Sequence, residues 1–278
     1  MSYIFLNLKR FDITPARGGV NRIAPADTWG EFIVNNTKEA LRRYSEHTFA
    51  AFFPEAHILT ANRAAGNDSP LKIGCQGCHT DDTSVGGGFG AFTTLLTANA
   101  AVELGCEWVI IGHCEERNSK ADIIQVAGGD ISVINKILNE EIRCAAAAGL
   151  KVLYCIGEKQ DEVDRRDEVL KEQILVGLNG IDTSNVVIAY EPVWAIGPGK
   201  TPPGRERIQE TARFIKEITN GLPVVYGGGL KTDNAAMLKS IPEIDGGLIA
   251  LTRFSGEIGF YPNEYLEIIK IYMESKED

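Results

Sequence analysis

Val186-Val-Ile-Ala-Tyr-Glu-Pro-Val-Trp-Ala-Ile-Gly-Pro-Gly-Lys-Thr201 decides how this chain is read. Its first five residues form a short apolar run rich in β-branched side chains, the pattern of a strand buried on both faces. The run stops on one carboxylate, Glu191. A rigid Pro192 follows, and then a loop that closes on Gly197, Pro198 and Gly199. Two readings fit this stretch alone. Glu191 is either a general base beneath a glycine-rich lid or an acid at a strand end that faces water.

Working outward, similar apolar runs recur at 3–8, 48–53, 72–76, 108–112, 152–156, 186–190, 224–227 and 247–251. Amphipathic, helix-like segments separate them at 29–45, 93–104, 131–148, 162–176, 205–219 and 232–240. A last one follows at 262–273, and a weaker one lies around 56–65. Strands alternating with helices imply βαβ units and a parallel sheet. Eight such units in 278 residues fit a (β/α)8 barrel. A doubly wound open sheet is the competing architecture, but no Gly-x-Gly-x-x-Gly turn follows the first strand. No linker-like change of composition appears, so residues 1–278 are read as one domain. Residues 10–27 form a long connection, of a length that is often functional or interfacial.

Composition narrows the function classes. A net charge of −10 and the absence of a Lys/Arg stripe argue against a nucleic-acid partner. No apolar stretch reaches the roughly 18 residues of a membrane span. The N-terminus lacks the pattern of a signal peptide, so a cytoplasmic location and reduced thiols are expected for the six cysteines. Cys75-x-x-Cys78-His79 has the spacing of a haem attachment site, but that chemistry needs export, and a loop role is expected instead. His47 and His57 lack metal-ligand spacing, so no metal site is expected. Gly199-Lys200-Thr201 ends like a phosphate-binding P-loop, yet Trp194 stands where its first glycine belongs.

In a barrel the chemistry sits at the C-terminal ends of the strands. There the sequence sets Asn7 and Lys9 after the first strand, His113 and Glu115 after the fourth, and Cys155 to Glu158 at the fifth. Glu191 ends the sixth, and Tyr226 to Gly229 follow the seventh. A cation, an imidazole and a carboxylate on one mouth suit proton transfer beside a carbonyl.

Asn7-x-Lys9, Trp108-Val-Ile-Ile-Gly-His-Cys-Glu-Glu-Arg117, Cys155-Ile-Gly-Glu-Lys159, the run from Ala189 to Thr201, and Tyr226-Gly-Gly228 occur in one order. Together they resemble the triosephosphate isomerase family over essentially the whole chain. The resemblance implies a TIM barrel and a cofactor-free, metal-free aldose–ketose isomerase, a homodimer acting on a small phosphorylated sugar. It implies that Glu191 moves a proton between adjacent carbons and that neutral His113, at a helix N-terminus, polarises the carbonyl. Lys9 and Asn7 then steady the enediolate, and the loop 192–201 closes over it to exclude water. Glu115 orders the Lys9 and His113 region or is simply a favourable acid at a helix start. Cys155 lies beneath the site and is read as packing.

The phosphate side departs from the family pattern. Gly229 replaces the usual Ser, and Ala250 and Leu251 stand where paired glycines belong. Gly197 in the lid and Gly229 are expected to approach the phosphate through their backbones. Ala250 and Leu251 crowd that approach, and Arg253 offers a bidentate replacement. Other departures are Arg10, Phe11, Cys114 in place of Ser, Glu116 in place of Arg, Pro198, and long stretches at 10–27 and 118–130. They leave open an isomerase or epimerase of a related sugar phosphate, such as a tetrulose phosphate. A non-catalytic barrel kept for binding is the second alternative.

Overall fold

The computed structural model describes residues 1–197 and 199–275; Pro198 lies outside the described residues. Eight parallel strands close into a barrel in chain order. They are β1 (Tyr3–Asn7), β2 (Thr48–Phe53), β3 (Leu71–Cys75), β4 (Trp108–Ile111), β5 (Lys151–Ile156), β6 (Val186–Tyr190), β7 (Val224–Tyr226) and β8 (Gly246–Ile249). The seam pairs Tyr3 with Gly246 and Leu6 with Ile249. A side chain at Gly246 would lie 1.7 Å from the Tyr3 carbonyl oxygen, so the seam closes only on glycine.

Ten helices surround the barrel among the described residues. They are α1 (Trp29–Asn35), α2 (Lys38–Leu41), α3 (Glu55–Ala65), α4 (Ala98–Glu103), α5 (Cys114–Val126), α6 (Ile134–Ala147), α7 (Arg166–Gly177), α8 (Arg205–Ile218), α9 (Ala235–Lys239) and α10 (Pro262–Glu274). The expected helices at 131–148 and 162–176 open with a 3₁₀ turn, that at 232–240 narrows to Ala235–Lys239, and two others are cut short by their own side chains. The one at 29–45 breaks near Thr37, whose hydroxyl donates to the Ile33 carbonyl at 2.8 Å, while the Asn36 amide donates to Phe32. Side chains there take over carbonyls that the helix needs to continue. The one at 93–104 begins only at Ala98, where the Thr97 hydroxyl caps it by accepting the Ala100 N–H at 3.2 Å. The stretch 118–130 is mostly the body of α5. Only Cys114 and Ala121 of this helix are buried, so its apolar period is faint.

Alternation along the strands divides the core in two. Phe5, Phe52, Trp108, Leu153, Val187, Val225 and Leu248 fill the barrel, with Phe5 meeting the Trp108 edge at 5.0 Å between centroids. The opposite strand faces pack against the helices. Each such large side chain, fully buried, stabilises by about 1.5–3 kcal/mol. This packed interior leaves the upper strand ends as the floor of a single mouth.

The connection 10–27 is tied down rather than loose. Asn21 donates from its side-chain amide to the Asp12 and Ala24 carbonyls at 3.0 and 2.9 Å. The Asp12 carboxylate meets His57 Nε2 at 3.1 Å. Cys75 and Cys78 are buried free thiols, and Cys78 Sγ donates to the Glu141 carbonyl at 3.3 Å. That accounts for the haem-like spacing as loop packing.

Candidate active site

A cavity of about 400 Å³ opens at the C-terminal ends of the strands, lined by Asn7, Lys9, His113, Glu115, Glu191, Gly197, Gly229, Ala250 and Leu251. Ten of the eleven residues singled out from the sequence are accounted for by this wall and the layer beneath it. The eleventh, Arg253, is not.

Glu191 continues β6 by one residue, its amide donating to the Ile156 carbonyl at 2.7 Å. Its place is cut closely on two sides. A side chain at Gly157 would come within 1.8 Å of the Glu191 carbonyl oxygen, and one at Gly227 within 2.7 Å of Glu191 Cγ. These glycines let a carboxylate stand 1 % exposed at the barrel floor. Oε2 accepts the Cys114 N–H at 2.9 Å, the first amide of α5. Oε1 has no hydrogen-bond partner among the described residues, although His113 Nε2 stands 3.2 Å away without bond alignment. Burial raises the Glu191 pKa, opposed chiefly by His113 and the Cys114 amide. The result is a buried carboxylate with one oxygen anchored and the other free to take a proton.

His113 caps α5. Its Nδ1 accepts the Glu115 N–H at 3.3 Å, which leaves Nε2 as the N–H that faces Glu191. His113, Cys114 and Glu191 are close enough together to hold an ion. The ring's one lone pair, however, is already turned to an amide, and burial pushes the Cys114 thiol up to about 12. The trio is a poor fit for a resident metal.

Lys9 adopts φ +40, a strained conformation for a residue with a side chain. The Asn7 carbonyl oxygen Oδ1 holds it by accepting the Lys9 N–H at 3.0 Å. Gln76, at the end of β3, donates to the Lys9 and Phe52 carbonyls at 3.0 and 3.2 Å. Lys9 Nζ meets Glu115 Oε1 at 2.7 Å, so Glu115 both opens α5 and orders the lysine. Cys155 is fully buried in the barrel core and does not line the cavity.

Three supporting residues escaped the sequence reading. Gln76 is one. Arg117 is another, donating to the Gly112 carbonyl at 2.8 Å, the Cys155 carbonyl at 3.0 Å and Tyr154. Glu158 is the third: fully buried, it accepts from Trp194 Nε1 at 2.9 Å and Tyr190 at 3.1 Å, fastening the first turn of the lid. Each is a polar residue within a matched or strand-end segment, but its partners lie on other strands and loops.

The phosphate side differs from expectation at Arg253. Its guanidinium is taken by Glu264, through Nε at 2.8 Å and through Nη2, and it stacks over Tyr261 at 3.9 Å from the ring centroid. It braces the loop after β8 and does not line the cavity. The cations that do line it are Lys9 and Lys231, and the latter sits beside Phe254. Phe11, Ile196 and Leu248 add apolar wall.

Comparison with known proteins agrees with this geometry. The family model for triosephosphate isomerase matches residues 29–270. The triosephosphate isomerase of Chloroherpeton thalassium is 35% identical over 218 residues, covering 73% of this chain and 77% of its own length. That of Pelodictyon phaeoclathratiforme is 37% identical over 208 residues, covering 70% and 76%. The crystal structure of the Bartonella henselae triosephosphate isomerase shares the fold, with a TM-score of 0.74 at 23% identity over 98% of this chain and 99% of that one. A closed eight-stranded barrel with this mouth, matched over most of its length by those relatives, places the chain in the triosephosphate isomerase family of isomerases.

Proposed function

We propose that this isomerase interconverts dihydroxyacetone phosphate and glyceraldehyde 3-phosphate through an enediolate. Glu191 Oε1 takes a proton from the carbon beside the carbonyl, and His113 Nε2–H polarises the carbonyl oxygen as negative charge develops there. Glu191 returns the proton to the former carbonyl carbon, while His113 gives its Nε2 proton to the former carbonyl oxygen and takes the hydroxyl proton from the neighbouring oxygen, so the proton balance closes without an external donor. Lys9 supplies fixed positive charge, held in place by Asn7, Gln76 and Glu115. Ile196 and Gly197 bring the start of the lid to the cavity wall, with Glu158 as its anchor through Trp194.

The observation that carries this reading is the buried Glu191 carboxylate with Oε1 unbonded, 3.2 Å from His113 Nε2, in one cavity with Lys9. The test is turnover of dihydroxyacetone phosphate by the purified protein, with incorporation of solvent hydrogen at the carbon next to the carbonyl. No turnover and no exchange sink it.

A second substrate is favoured by one observation: Ala250, Leu251, Phe11 and Phe254 give the anion end an apolar wall. A tetrulose phosphate is the alternative substrate, and its rate against the triose phosphate decides between them. We also infer a single-domain homodimer in the cytoplasm. Val85 and Phe89 are fully exposed at the tip of the loop after β3, which supports a partner surface there. Sedimentation at low concentration tests it, with a monomer as the contrary result. No helix among the described residues is long and apolar enough to cross a membrane.

A further inference from the structure

The corner between β7 and β8 lacks the serine and the paired glycines expected of it. Two of its amides are committed internally: Leu230 N–H donates to the Leu248 carbonyl at 2.9 Å, and Lys231 N–H to Asn234 Oδ1 at 2.8 Å. Leu251 and Ala250 bring side chains where glycines would let an anion approach. Arg253 is occupied by Glu264 and Tyr261. Among the described residues, the Gly229, Ala250 and Leu251 N–H groups make no hydrogen bond, but neutral amides bring no charge to match that of a phosphate.

Lys231 stands at this gap. It lines the same cavity as His113 and Glu191. Its stem packs over Gly229, with Cε 3.4 Å from where a Cβ on that glycine would be. Gly229 also holds φ +101, so a serine there would be strained and would crowd the lysine stem. The ammonium rests 4.3 Å from the Phe254 ring centroid. No carboxylate among the described residues pairs with it. A half-buried ammonium parked on a ring face, without a counter-ion, has a weak hold that a doubly charged oxyanion outcompetes.

We propose that Lys231 is the anion-recognising side chain of this site. Its ammonium leaves Phe254 to bind the substrate phosphate above the Gly229 amide. The changes at Gly229, Ala250, Leu251 and Phe254 then form one unit: side chains line the backbone cradle, and a side-chain charge with a ring to rest on adds to it. This inference rests on the sugar-phosphate reading proposed above.

The experiment measures dihydroxyacetone phosphate turnover and competitive inhibition by inorganic phosphate for the wild type, K231M and K231R. K231M keeps the stem and removes the charge. Its KM and its phosphate inhibition constant should both rise about tenfold or more, with kcat falling by less than KM rises. K231R, which keeps the charge, should fall between wild type and K231M. Unchanged constants in K231M, or a K231R as weak as K231M, overturn the proposal. If the wild type isomerises no triose phosphate, the function proposed above fails separately. Lys231 is then judged by calorimetric titration of inorganic phosphate into wild type and K231M, where equal affinities overturn it.

Discussion

On the β4–β6 side of the mouth, each reacting group is held by backbone and by buried partners. Glu191 is wedged between two glycines and anchored to the first amide of α5, and His113 is fixed by the Glu115 amide. On the β7–β8 side the wall is made of side chains on loops: Leu251, Phe254 and Lys231. The difference teaches how a site can hold its chemistry constant while its substrate end drifts. Proton transfer demands placement to a fraction of an ångström, which only strand ends and helix caps supply. Anion binding asks for charge and space, which a flexible ammonium provides from several backbones.

The largest effect should come from the rigid half. Glu191→Gln removes the base and should lower kcat about 10²–10⁴-fold, read by steady-state kinetics. The same variant should be more stable than wild type at neutral pH. Burial raises the Glu191 pKa above its ordinary 4.5, so the folded state holds an extra proton that the unfolded state releases first. Wild-type stability therefore falls as pH rises from about 4.5 through the raised folded value. Thermal unfolding of both proteins across that window checks the sign, with the gap closing at lower pH.

Gly227→Ala comes next. Its Cβ would lie 2.7 Å from Glu191 Cγ and 2.8 Å from the Tyr190 carbonyl oxygen. Overpacking of this kind costs roughly 1–3 kcal/mol of stability. Displacing the base should also cut kcat at least about tenfold. Normal kcat in a folded variant would show that the rigid half tolerates movement, and the contrast drawn here would fall.

Restoring glycines in the looser half should matter less. A250G/L251G should improve KM for the triose phosphate by up to about tenfold if side-chain crowding sets substrate choice. A preference for a larger substrate that survives the change would move that choice to Phe11 or Phe254. The smallest effect belongs to Arg253→Ala, since its guanidinium serves Glu264 and Tyr261. KM should stay within about twofold of wild type, with a small fall in Tm. A clear rise in KM would return Arg253 to the anion site and remove the case for Lys231.

Much of this molecule was legible before its coordinates. All eight strands lie where the apolar runs put them, because a strand buried on both faces leaves a dense local signal. Helix ends were less legible at Thr37 and Thr97, where one hydroxyl decides the boundary. The body of α5 was read as excess chain because only two of its residues face the core. Gln76, Arg117 and Glu158 were missed as supports because each acts through contacts on other strands and loops.

The sequence by itself determined the barrel and brought forward the residues proposed to react, since alternation and the Asn7, Lys9, His113 and Glu191 motifs are local patterns. Only the tertiary structure decided which cation faces the anion end. In one dimension Arg253 drew the eye and Lys231 did not. In three, Glu264 and Tyr261 claim the arginine, while the lysine, without a carboxylate partner among the described residues, lines the cavity. Charge pairing is settled by distance in space, and separation along the chain does not encode it.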